Sequence, residues 1–132
     1  MKTEERKLSE SKEDYLEAVL VLSKPGGSAR SSQIAKKLNI RKASVAQAMR
    51  ALRDEGYVSF ENYSPISLTK KGREVAEGVF EAHRAISAFL TAQLGVEDSL
   101  AEETACKMEH AFTPELKRRF VSYINKLSAT RA

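Results

Sequence analysis

The chain has 132 residues, of which 42% are apolar and 30% charged, and its formal net charge is +4. That length suits one domain or two small substructures sharing a core, and the composition is too apolar for disorder. A single cysteine excludes an internal disulfide framework and a Cys-only zinc site.

The longest unbroken apolar run, Ala18–Leu22, falls far short of the ~20 residues a membrane span needs. The polar start MKTEERKLSESKED has no apolar signal core, so a cytoplasmic protein with no membrane partner is expected. Charge is unevenly placed. Residues 31–75 carry nine basic and four acidic side chains, whereas the flanking segments are near balance. Such an excess is the electrostatic footprint of a nucleic-acid binder, although charge alone also suits a solvated basic surface.

The first predicted helix covers about residues 11–24, with Tyr15, Leu16, Val19, Leu20 and Leu22 on one face and Ser11 as its cap. KPGGS at 24–28 ends it. Ser31 or Ser32 caps a short helix carrying Ile34, Ala35 and Leu38, and Asn39-Ile40-Arg41 leads into a second helix over 42–55. That helix places Val45, Met49 and Leu52 inward and Lys42, Ser44, Gln47 and Arg50 outward. A short helix, a tight turn and a longer helix with a polar, basic face form a helix-turn-helix pattern. Tyr57–Phe60 and Ile66–Thr69 alternate with the period of strands, and Glu61–Pro65 forms the loop between them. The two strands make a wing.

A long helix is expected over about 70–94, stopped by Gly95 and striped by Ala76, Val79, Phe80, His83, Ile86, Phe89 and Leu90. Ser99 caps the next helix, and Thr113-Pro114 starts the last one. The fold class is therefore mainly α. A winged helix-turn-helix domain (1–73) is expected to precede an α-helical domain (74–132). The last helices carry more apolar surface than so small a domain uses, which points to a homodimer.

Two surfaces carry chemistry. Gln47 suits adenine and Arg50 suits guanine or phosphate in a major groove, and Ser44 permits close approach. Arg41, Lys42, Ser31, Ser32 and Lys70 suit phosphates, and Lys71 lies beside them. Separately, Cys106, Glu109 and His110 stand at i, i+3 and i+4, so one helix face offers a thiolate, a carboxylate and an imidazole to a transition metal. His83, Asp14 and Glu17 are further candidate ligands. Each also has a plainer reading: a core histidine, a small buried thiol, or carboxylates near a helix N-terminus.

Four blocks resemble the iron- and manganese-dependent repressors, the family of the diphtheria toxin repressor and the manganese transport regulator. They are SKEDYLEAV, LNIRKASVAQAMRALRDEGYVSFENYSPISLTKKGR, AHRAISAFL and EETACKMEH, and the likeness covers about residues 8–125. The resemblance implies a winged helix, a helical dimerisation domain and a metal site between them. It also implies metal-activated binding of the homodimer to double-stranded operator DNA of metal-uptake genes.

Carried over, Asp14 and Glu17 match the carboxylates of manganese-type members. His83, Glu109 and His110 match ligands that both types share, and Cys106 matches the iron-type cysteine. The chain is thus a hybrid. The iron-type ancillary site is altered, with Ser87 and Glu102 at its places, though Glu102 remains a candidate ligand. The chain also stops short of the SH3-like domain of long iron-type members and so resembles the short, two-domain type.

Fe(II) or Mn(II) is the expected cofactor, and Zn(II), Co(II) or Ni(II) can substitute in vitro. No organic cofactor is expected. The chain shows no nucleophile–base constellation and no glycine-rich phosphate loop, so an enzyme is not expected. The alternative is a metal-independent winged-helix transcription factor that responds to another ligand.

Overall fold

The computed structural model describes residues 9–23, 27–62 and 64–131, with side chains to residue 127. Its elements in order are α1 (Glu10–Leu22), α2 (Ser31–Leu38), α3 (Lys42–Asp54), β1 (Val58–Ser59), β2 (Ser67–Leu68), α4 (Lys70–Leu94), α5 (Asp98–Ala111) and α6 (Pro114–Arg131). Two compact units divide at Glu77/Gly78, within α4. Among the described residues no helix is long and apolar enough to cross a membrane.

In the first unit the helical spacing buries one face of each helix. Leu16 and Val19 of α1, Ile34 of α2, and Val45, Met49 and Leu52 of α3 form one core with Val58, Ile66 and Ala76. Five of those nine are fully buried aliphatic side chains of Leu or Val, each worth ~1.5–3 kcal/mol relative to exposure. Asn39 takes the left-handed conformation (φ 57°) that ends α2, and Gly56 takes it (φ 88°) just beyond α3.

In this unit two cap positions differ from the sequence reading. Ser9, not Ser11, caps α1: its Oγ accepts from the Lys12 backbone N–H at 3.2 Å. Starting there puts Glu10 and Glu13 in the first turn, where the helix dipole favours carboxylates. Arg30 rather than a serine stands at the N-cap of α2, and Gln33 Oε1 accepts from its N–H at 2.8 Å. Ser31 and Ser32 therefore lie in the first turn. Most of the KPGGS turn lies outside the described residues.

β1 and β2 pair antiparallel, Val58 with Leu68 and Ser59 with Ser67. They are shorter than the strands read from the alternation. An isolated bridge joins Ala29 to Ile66, with backbone N–H···O distances of 2.8 and 2.7 Å. The segment before α2 thus serves as a third partner of the wing. A one-residue bridge has no periodicity, so no pattern announced it.

α4 is anchored to the base of the wing. Thr69 Oγ1 donates to Gly56 O at 2.7 Å and accepts from the Gly72 N–H at 3.0 Å. Gly72 lies against the Tyr57 carbonyl so closely that a Cβ there would overlap its oxygen.

The second unit packs Ile86 and Leu90 of α4 against Ala101 and Ala105 of α5, with Phe89, Met108, Phe112 and Phe120 around them. Phe120 of α6 meets Phe89 edge-on at 5.9 Å and Phe112 at 5.5 Å between ring centroids. Gly95 (φ 69°) ends α4, and Val96 N–H reaches Leu90 O at 3.0 Å. Glu97, not Ser99, is the N-cap of α5, because Ala101 N–H already bonds Glu97 O at 2.9 Å. Thr113 caps α6 as expected, its Oγ1 accepting from the Leu116 N–H at 3.1 Å.

Candidate metal centre and nucleic-acid interface

In the winged unit, burial of Val45, Met49 and Leu52 forces the opposite face of α3 outward. Lys42, Ser44, Gln47 and Arg50 are all exposed, as are Arg41, Ser32 and Lys70, while Ser31 is half-buried. A groove of about 590 Å³ runs between α2, α3 and the wing. Ser31, Ser32, Lys42 and Arg50 line it; Ser44, Gln47, Arg41 and Lys70 do not.

Arg30, Arg53, Asn62 and Ser64 also line the groove and were missed. Arg53 follows Arg50 by one helical turn, which was the available signal. Its guanidinium lies 4.5 Å from the Phe60 ring centroid, so the wing holds it in place. Lys71 is already engaged: its ammonium donates to Glu55 O at 3.0 Å and sits 4.3 Å from the Tyr57 ring centroid.

The donors on α5 converge as their spacing requires. Cys106 Sγ lies 3.9 Å from His110 Nε2, and Glu109 Oε2 lies 2.8 Å from His110 Nδ1. Glu109 is only 1% exposed and His110 4%. Lys117 of α6 brings its ammonium to 3.2 Å from Glu109 Oε1. A buried carboxylate without compensating charge is very costly, so cationic partners at this distance are physically necessary. Lys117 had not been singled out; it lies eight residues beyond Glu109, across a helix boundary.

His83 of α4 takes a different partner. Its Nε2 is 2.7 Å from Glu102 Oε1, and Ser87 Oγ donates to Glu102 Oε2 at 3.3 Å. The hydrogen bond to His83 holds the Glu102 carboxyl below the usual carboxylate range, against a smaller opposing effect of burial. His83 Nδ1 is buried with no hydrogen-bond partner among the described residues. On α1, Asp14 and Glu17 are half-buried, while their neighbour Glu13 is buried and had not been singled out.

These donors suit a first-row transition ion. They combine a thiol, carboxylates and imidazoles, and the buried Nδ1 lone pair is the kind of orphaned acceptor that a cation satisfies. The second unit also holds Leu94, Leu100, Leu116 and Tyr123, four large apolar side chains between 45% and 62% exposed.

Comparison with known proteins assigns both units. Residues 7–66 match the family model of the iron dependent repressor N-terminal DNA binding domain. Residues 69–130 match that of the iron dependent repressor metal binding and dimerisation domain. An uncharacterised helix-turn-helix-type transcriptional regulator of Methanocaldococcus jannaschii is 37% identical over 90% of this chain and 96% of its own. The diphtheria toxin repressor of Corynebacterium diphtheriae is 26% identical over 92% of this chain and 54% of its own. The structure of the manganese regulator SloR superposes with a TM-score of 0.74 at 29% identity, over 86% of this chain and 53% of that one.

With both units matched in order, and a relative 37% identical along nearly its whole length, the chain belongs to the iron-dependent repressor family, whose members are metal-dependent transcriptional regulators and not enzymes.

Proposed function

We propose that this chain is a cytoplasmic repressor that binds operator DNA as a homodimer when loaded with Fe(II) or Mn(II), and so controls metal-uptake genes. The observation that carries this reading is the thiol, buried carboxylate and imidazole gathered on one face of α5, in a chain of this family. Cys106, Glu109 and His110 would hold the ion, and His83, Asp14 and Glu17 are the further ligands proposed. A bound ion would supply positive charge to these carboxylates.

The ion is proposed to act on DNA binding. Once the ligands are joined, the two recognition helices of a dimer keep a separation near one DNA turn, ~34 Å. A coupling of ~1–3 kcal/mol between metal and DNA gives a ~5–150-fold switch. Gln47 and Arg50 read bases. Ser44 permits close approach, Ser31, Ser32, Arg41, Lys42 and Lys70 meet the backbone, and Arg30 and Arg53 add positive charge to the groove. Leu94, Leu100, Leu116 and Tyr123 supply apolar area for the dimer.

The carboxylates favour Mn(II) or Fe(II), and the Cys106 thiolate tilts the set toward Fe(II). Zn(II), Co(II) and Ni(II) are expected to bind in vitro by the general affinity order. The test is an anaerobic Mn(II) titration of metal-free protein, repeated with Fe(II). Saturable binding of about one or two ions per chain, lost in Asp14→Ala, supports the reading. Duplex binding that is unchanged by a chelator refutes it in favour of a metal-independent regulator.

A further inference from the structure

We propose that Glu102 is a positioning residue of this centre: by accepting the Nε2–H of His83, its carboxylate presents the Nδ1 lone pair as the donor to the metal. The inference rests on the metal-binding reading above. It changes the expected part of Glu102 from ligand to orienting partner.

The argument is one of proton placement. A carboxylate only accepts hydrogen bonds, so the 2.7 Å contact between Glu102 Oε1 and His83 Nε2 requires the proton on Nε2. A metal-ligating imidazole is neutral and carries a single N–H, so Nδ1 must then hold the lone pair. Nδ1 is buried and has no hydrogen-bond partner among the described residues. No described residue therefore competes for that lone pair.

Metal-ligating histidines almost always donate their other N–H to a carboxylate, a carbonyl or water, and such partners fix both tautomer and ring orientation. Glu102 is itself held. Ser87 Oγ donates to its second oxygen at 3.3 Å, so both carboxylate oxygens have protein partners. The three residues span two helices, with His83 and Ser87 one turn apart on α4 and Glu102 facing them from α5.

Removing such a partner typically costs ~10–100-fold in metal affinity. The side chain of Glu102 is 64% exposed against 17% for His83, so water competes for the bond and a loss near the lower limit is expected.

The experiment compares Glu102→Ala and Glu102→Gln with the unmodified chain by imidazole ¹⁵N NMR, first without metal and then with Zn(II), a diamagnetic probe. The unmodified chain should show a protonated Nε2 engaged in a hydrogen bond, and Zn(II) should shift Nδ1. Glu102→Gln should keep both signatures, because its amide oxygen still accepts. Glu102→Ala should lose the hydrogen-bonded N–H and bind Zn(II) about ten-fold more weakly, with unchanged stoichiometry.

A Zn(II)-induced shift at Nε2 would overturn the inference, as would unchanged affinity in Glu102→Ala or the loss of a whole ion per chain. A shift at the α5 donors with His83 unmoved overturns the inference alone. If neither His83 nor the α5 donors respond to Zn(II), the metal-binding reading fails with it.

Discussion

Replacing Lys117 by Met removes the ammonium that stands 3.2 Å from Glu109 Oε1. Lys117 is 13% exposed and Glu109 1%, so solvent screens this pair weakly. At an effective dielectric constant of ~20, unit charges at that distance attract by about 5 kcal/mol before desolvation is counted. Much of that attraction is offset by the cost of taking both ions out of water. Deleting one partner is a different matter, because the other charge stays buried; such deletions cost ~3–5 kcal/mol.

His110 remains 2.8 Å from the second Glu109 oxygen, which places the expected loss near the lower value, about 3 kcal/mol. Urea denaturation of the metal-free chain, with chelator present, measures it as a shift in midpoint at constant slope. Adding Glu109→Gln to Lys117→Met should recover most of the loss, because the buried charge is then gone. Saturating Mn(II) should shrink the effect of Lys117→Met, since the bound ion supplies the missing positive charge. A loss below about 0.5 kcal/mol, the range of ordinary surface substitutions, would refute the ion-pair argument.

Three further outcomes follow from the same geometry. Gly72→Ala should destabilise the winged unit by ~1–3 kcal/mol, because its Cβ would press on the Tyr57 carbonyl; a neutral melting result would show that α4 shifts freely. Gln47→Ala should cost ~1–3 kcal/mol at one operator base pair, whereas Lys42→Ala should weaken all duplexes alike and lower the salt slope by ~1; competition binding across a salt series separates the two. Cys106→Glu should move the Fe(II)/Mn(II) preference toward Mn(II); parallel anaerobic titrations giving an unchanged ratio would remove Cys106 from the ligand set.

Much of the fold was legible because local patterns agreed with one another. The stripe of α3, the Asn39 turn, Gly56, Gly95 and Thr113-Pro114 each carry a short-range signal, and each took the expected place. The misplaced caps have one cause. Several polar residues stood near each helix start, and which one takes the N-cap, even an arginine at α2, depends on where the chain leaves its preceding segment. Ser9 and Ser11 are chemically equivalent; only Ser9 adopts the extended backbone that aims Oγ at the Lys12 N–H.

By itself the sequence determined the helix periods, the winged helix-turn-helix, the exposed basic face of α3, and the gathering of Cys106, Glu109 and His110 on one helical face. All of these follow from 3.6-residue and two-residue repeats, which act over a few neighbours. Tertiary structure alone decided the partners of those side chains. Lys117 reaches Glu109 from another helix, Glu102 takes the Nε2 of His83, Arg53 stacks on Phe60, and Ala29 bridges Ile66. Each of these contacts joins different elements. Charge compensation and hydrogen-bond partnership depend on distance in space, and spacing along one helix or strand does not encode it.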